Sequence, residues 1–154
     1  MKKTILSIVA LLAIPFAYSE EQSICPIMIE DEIDEEEVVE FEGKKIFMCC
    51  GGCVKAWDSY PKYYLKIGRE LKLIPQFKTV SAELEKELEG IELMKQRFCP
   101  LRPTAVVSPK SPSIEYQGKK IYFFKERDIA RKWKKDPAAA FEKARKAGLL
   151  PQFD

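Results

Sequence analysis

The chemistry-bearing residues of this chain are five cysteines, three of which fall within five positions, in Cys49-Cys50-Gly51-Gly52-Cys53. Thiolates are nucleophiles and soft metal ligands, and the glycines let the backbone turn sharply enough for neighbouring sulfurs to converge. Such a knuckle can hold one ion, close disulfides, or work as a redox pair through Cys50 and Cys53. Cys25, separated from Cys49 by 23 residues, is the natural long-range mate or further ligand, and Cys99 is isolated. The odd count means that disulfides within one molecule cannot use all five. Histidine is absent, which excludes imidazole as ligand, general base or triad member and leaves Cys, Met, Asp and Glu. With no acid–base pair or phosphate loop visible, the expectation is a protein that is not an enzyme.

Elements must bring these thiols together. Val39 and Phe41, then Ile46 and Met48, alternate with polar residues around Glu42-Gly43-Lys44, which predicts a β-hairpin with glycine at a positive-φ turn position. The knuckle follows the second strand and opens a helix over 54–60 that contains Trp57; a helix N-terminus favours anionic thiolate. Pro61 marks a break or a new start, with further helix over 62–71. The hairpin would fold Cys25 back toward the knuckle.

The same arrangement occurs twice. Cys25-Pro26 recurs as Cys99-Pro100, and the run Gly43 to Phe47 recurs as Gly118 to Tyr122. Trp57 and Pro61 recur as Trp133 and Pro137, and Leu73-Ile74-Pro75-Gln76-Phe77 recurs as Leu149-Leu150-Pro151-Gln152-Phe153. These matches keep their order at offsets of 74 to 76, so two units are expected, at 20–78 and 94–154, joined by an amphipathic helix within 79–93 that carries Leu84, Leu88 and Ile91. The second unit predicts a hairpin around Gln117-Gly118-Lys119, helix over 129–135 and 138–147, a cap at Gly148, and a proline-rich loop over 103–112.

In its Cys-Pro opening, Gly-Lys-Lys hairpin, Phe-x-Cys-Cys-x-x-Cys knuckle and following aromatic-Pro helix, the stretch from 25 to about 66 resembles the YHS and TRASH group of small heavy-metal-binding domains. The resemblance implies an α+β fold of treble-clef type and a role in binding, trafficking or resistance to heavy metals. Carried over by position, it makes Cys25, Cys49 and Cys53 the ligands, with Cys50 an additional thiol. The second unit resembles the same domain but has Phe124, Lys125 and about Asp128 where the first has Cys49, Cys50 and Cys53. A hydrophobic core is expected there in place of a metal site.

The fourth ligand is open among Cys50, the thioethers of Met28 and Met48, and Cys99. Thiolate with thioether suits Cu(I), whereas four thiolates suit Zn(II). Met28 and Met48 also read as core filling, the tryptophans and tyrosines as core aromatics, and the acidic run 30–37 as a solvated loop. The alternatives are a disulfide-stapled interaction module without metal and a thiol–disulfide redox protein.

The N-terminus reads as a secretory signal over 1–19: Lys2-Lys3, a short apolar core over 5–17, and Ala17-Tyr18-Ser19 before the acidic turn at Glu20. Cleavage after Ser19 would leave 24 basic and 24 acidic residues, a balance with no general attraction to nucleic acid or an anionic membrane. The expected location is periplasmic or secreted, and the expected partners are the metal ion and another metal-handling protein.

Overall fold

Two tight turns organise the chain. At Glu42-Gly43 both central residues have positive φ, 49° and 69°, and at Gln117-Gly118 they have 49° and 75°. That geometry matches the right-handed twist of paired strands. It joins β1 (Asp34–Phe41) to β2 (Lys44–Met48), and, further along, β5 (Ser113–Tyr116) to β6 (Lys119–Tyr122), each pair antiparallel. The computed structural model describes residues 21–154, so the expected signal over 1–19 lies outside the described residues. No helix among the described residues is long and apolar enough to cross a membrane.

The described chain is α+β, with two-stranded antiparallel hairpins and five α-helices. After β2 come α1 (Gly51–Ser59) and α2 (Pro61–Glu70), the latter started by its proline at the first helical position. The expected connecting helix is shorter than 79–93: α3 spans Ala82–Glu89, capped by Ser81, whose hydroxyl accepts from Leu84 N–H at 3.2 Å, and it stops at Gly90. A third hairpin, β3 (Phe98–Cys99) with β4 (Arg102–Val106), replaces the first half of the expected loop over 103–112. Pro103 falls where the β3–β4 register shifts, between the Cys99–Arg102 and Phe98–Val106 pairs, an irregularity that tolerates its missing N–H. After β6, α4 (Glu126–Arg131) gives way to a 3-10 turn at Trp133–Lys135 where one continuous helix was expected, and α5 (Pro137–Lys146) closes the chain.

Corresponding contacts tie each hairpin to its flanks. Gln22 donates to the carbonyls of Ile24 and Phe47 at 3.1 and 2.7 Å, and its Oε1 accepts from Phe47 N–H and Gln76 Nε2 at 3.1 and 2.9 Å. Gln96 does the same with Phe98, Tyr122 and Gln152 at 3.0, 2.7, 3.0 and 3.0 Å. Both glutamines are buried, and each uses its full hydrogen-bonding capacity, the condition for burying an amide without penalty. Phe41 meets Trp57 edge-on at 5.9 Å, and Tyr116 meets Trp133 edge-on at 5.6 Å. Lys44 and Lys119 each donate to the carbonyl of the Pro-Gln-Phe glutamine, Gln76 and Gln152, and lie over the adjoining Phe77 and Phe153 rings.

The two halves also pair with one another. Ile29 N–H donates to Thr104 C=O at 3.0 Å and Val106 N–H to Ile27 C=O at 2.8 Å, with Met28 opposite Ala105. The segment just after Cys25 thus serves as an additional strand on β4, and the surrounding side chains join one hydrophobic core.

Candidate metal centre

Cys25 sits in a turn that wraps its own sulfur. Its N–H donates to Asp31 C=O at 2.9 Å, Asp31 N–H returns to Met28 C=O at 2.9 Å, and Met28 N–H points at Cys25 Sγ from 3.4 Å. Cys49 follows the last residue of β2. Cys50 is the N-cap of α1, and Cys53 occupies its first turn, donating its N–H to Cys50 C=O at 2.8 Å. The backbone at Cys50 is extended, φ −171° and ψ 158°, yet its sulfur falls on the same side as those of Cys49 and Cys53.

The sulfurs of Cys25, Cys49 and Cys53 all lie within 4.8 Å of one another. Cys50 Sγ is 3.6 Å from Cys53 Sγ and 3.9 Å from Cys49 Sγ, and Cys49 and Cys53 are 3.6 Å apart. All five cysteines are free thiols. A tetrahedral zinc site with Zn–S near 2.3 Å has sulfur–sulfur edges of about 3.8 Å, close to the separations among Cys49, Cys50 and Cys53, while Cys50 stands outside the group of three whose sulfurs are all mutually within 4.8 Å. Cys25 and Cys53 are fully buried, while Cys49 and Cys50 are half-buried and form the open side.

The electrostatics of the metal-free cluster are those of crowded thiols sharing protons. Cys25 is pulled down to about 6 by the Cys53 thiol that donates to it, against its burial, with help from backbone N–H groups of Met28, Ile27 and Cys49. Cys53 is pushed up because it keeps the proton it donates to Cys25, and because it is buried beside three other sulfurs. Burial and the charge of Cys25 push Cys49 up. Burial raises Cys50, but N–H groups of Cys53 and Gly52 at the helix start, with the neighbouring thiols, outweigh it and leave its pKa lowered.

The other sequence candidates fall elsewhere. Met48 is fully buried in the core, and Met28 contributes its backbone N–H. Cys99 is buried outside the three-sulfur group, among residues of its own half such as Phe124, Leu101 and Arg102. The hydrophobic core expected in place of a second site is only part of what is found. Phe124 is buried, but Asp128 stands at the helical position matching Cys53 and binds Arg102 at 2.7 Å, with Asp128 almost fully buried.

Sequence reasoning missed four residues near the thiols. Asp31 Oδ2 lies 3.8 Å from Cys49 Sγ, and the Glu37 carboxylate packs on Gly51 at the start of α1. Both belong to the acidic run read as a solvated loop, part of which is β1. Lys125 packs on Gly52, and Arg102 approaches from β4. The strand alternation of 34–41 held the clue for Glu37; nothing in the spacing points to Arg102. A groove of about 620 Å³ is lined by residues of α2 and α3, including Lys66, Arg69 and Leu88, and by no cysteine.

No family model, curated protein or solved structure matches the chain.

Proposed function

We propose that this chain binds one soft or borderline metal ion through Cys25, Cys49, Cys53 and Cys50, and serves in the binding, trafficking or resistance chemistry of that metal rather than in catalysis. The observation that carries the reading is the convergence of three sulfurs within 4.8 Å, with a fourth thiol 3.6 Å from one of them. Four thiols with no thioether among them favour Zn(II) over Cu(I). In this reading the chain consists of two tandem treble-clef-like units of YHS or TRASH type, the second having exchanged its site for the Arg102–Asp128 pair. The protein is exported by its leader, with another metal-handling protein as partner.

The test is metal titration of the reduced full chain. About one Zn(II) per chain is expected, with protons released because thiols ionise before they ligate, and Cys49→Ser/Cys53→Ser should abolish tight binding while Cys99→Ser leaves it. Tighter binding of Cu(I) by the wild type would reassign the ion. If neither ion binds the wild type better than the double variant, the metal reading fails and a disulfide-stapled interaction module takes its place.

A further inference from the structure

The second half of the chain brings positive charge to the thiols of the first. Cys50 is the N-cap of α1 and Lys125 the N-cap of α4, matching positions in the repeat. In space the two converge on Gly52: a Cβ built there would stand 3.2 Å from Lys125 Nζ and 3.6 Å from Cys50 Sγ. Arg102 is committed to Asp128 at 2.7 Å. Negative groups also border the thiols, with Asp31 Oδ2 3.8 Å from Cys49 Sγ and Glu37 Oε1 3.4 Å from a Cβ built on Gly51.

This layout matters for a metal–thiolate centre. Four thiolates around a divalent ion leave a net charge of about −2, half-enclosed by protein and facing two carboxylates. Uncompensated charge in such a place is costly, and a nearby cation offsets it. Lysine at 125 is otherwise unremarked by the fold: its ammonium lies over the Phe124 ring at 5.3 Å and makes no ion pair among the described residues.

We infer that Lys125 is the counter-cation of the first unit's metal–thiolate centre, so that the unit lacking the cysteine knuckle completes the site of the one that has it. The inference rests on the metal-binding reading and adds what the second unit contributes to it. Lys125 acts on the ion through the thiolate of Cys50 and touches no metal itself.

The experiment compares Zn(II) affinity, by competition with a chromophoric chelator, for the reduced full chain and its Lys125→Met and Lys125→Arg variants. Methionine keeps an unbranched side chain without charge; arginine keeps the charge. Loss of a unit charge packed against Gly52, on which the Cys50 ligand also packs, should weaken Zn(II) binding about tenfold. Lys125→Arg should recover most of that affinity, and the wild-type affinity should fall with added salt more steeply than that of Lys125→Met. Affinity of Lys125→Met within about twofold of wild type overturns the inference, as does a Lys125→Arg variant as weak as Lys125→Met, since packing rather than charge would then be at work. A wild type that binds no Zn(II) overturns this inference and the proposed function together, whereas normal wild-type binding with an unaffected Lys125→Met overturns this inference alone.

Discussion

Arg102 donates through Nε and an Nη to the two carboxylate oxygens of Asp128, at 2.7 and 3.3 Å, and Asp128 holds the place in α4 that Cys53 holds in α1. Where the first half gathers thiols, the second sets an ion pair whose cation comes from its own strand β4. Asp128 is 3 % exposed, so the pair is a commitment: removal of either partner strands the other in a poorly solvated place.

Asp128→Asn should therefore lower unfolding free energy by about 1–3 kcal/mol at neutral pH, the range for a charge-assisted hydrogen bond left half-made. Burial pushes the Asp128 carboxyl up, but the Arg102 hydrogen bond and charge, with Lys132 and Arg127, hold its pKa below the ordinary carboxylate value. A depressed folded value means that the stabilisation is present above the unfolded pKa and is lost as pH falls through the folded one. Denaturant midpoints measured from neutral to strongly acidic pH should show wild type and Asp128→Asn converging in acid. A gap that stays constant would show that the carboxylate charge contributes nothing.

Gln22 and Gln96 should be costly to truncate. Gln22→Ala leaves the Phe47 N–H and C=O and the Gln76 amide without their partner, and an unsatisfied buried group costs about 1–3 kcal/mol. Gln96→Ala should cost at least as much, because Gln96 is the more buried of the two. Urea unfolding of the two single variants checks both, and a change below that range in either would mean that water replaces the side chain.

The helix ends offer a gain instead. Both α2 and α5 end in the same motif: Leu73 N–H to Gly68 C=O and Lys72 N–H to Arg69 C=O in one, Leu149 N–H to Ala144 C=O and Gly148 N–H to Arg145 C=O in the other. The residue in the left-handed region is Lys72 at φ 59° in the first and Gly148 at φ 69° in the second. Relief of the Cβ crowding makes Lys72→Gly stabilising by about 0.5–1 kcal/mol, and Gly148→Ala destabilising by about the same. Thermal unfolding of the pair should move in opposite directions.

The thiol cluster predicts an unusual titration. With Cys25 lowered to about 6 and Cys49 and Cys53 raised, reduced metal-free protein should gain thiolate ultraviolet absorbance as pH rises through about 6. Two of the remaining sulfurs should stay protonated well above the range of an ordinary thiol. Cys53→Ala, which removes the thiol donating to Cys25, should move the first step upward. Wild-type absorbance that rises only in the ordinary thiol range would exclude a stabilised thiolate at Cys25.

Local pattern was enough to read the hairpin-and-helix content, the repeat spacing, the turns at Gly43 and Gly118, the helix starts at Pro61 and Pro137 and the cysteine knuckle. Each depends on residues close in sequence: a two-residue turn, an alternation of period two, a proline that can only begin a helix, glycines between thiols. The short α3 was half legible, since Leu84 and Leu88 carry the apolar stripe but Gly90 ends it. Sequence did not determine the strand pairing of 102–106 with both 98–99 and 27–29, because a proline-rich run resembles a loop until a neighbouring backbone supplies its partners. The direction of the Cys50 sulfur was likewise undetermined: its backbone is extended, which by itself would turn it from Cys49, and only the packed knuckle puts the two sulfurs 3.9 Å apart. Above all, the carboxylates of Asp31 and Glu37, the ammonium of Lys125 and the Arg102–Asp128 pair come to the thiols or to their second-half counterpart from other elements. The charge around a site is a sum over space, and only tertiary packing sets the distances in that sum.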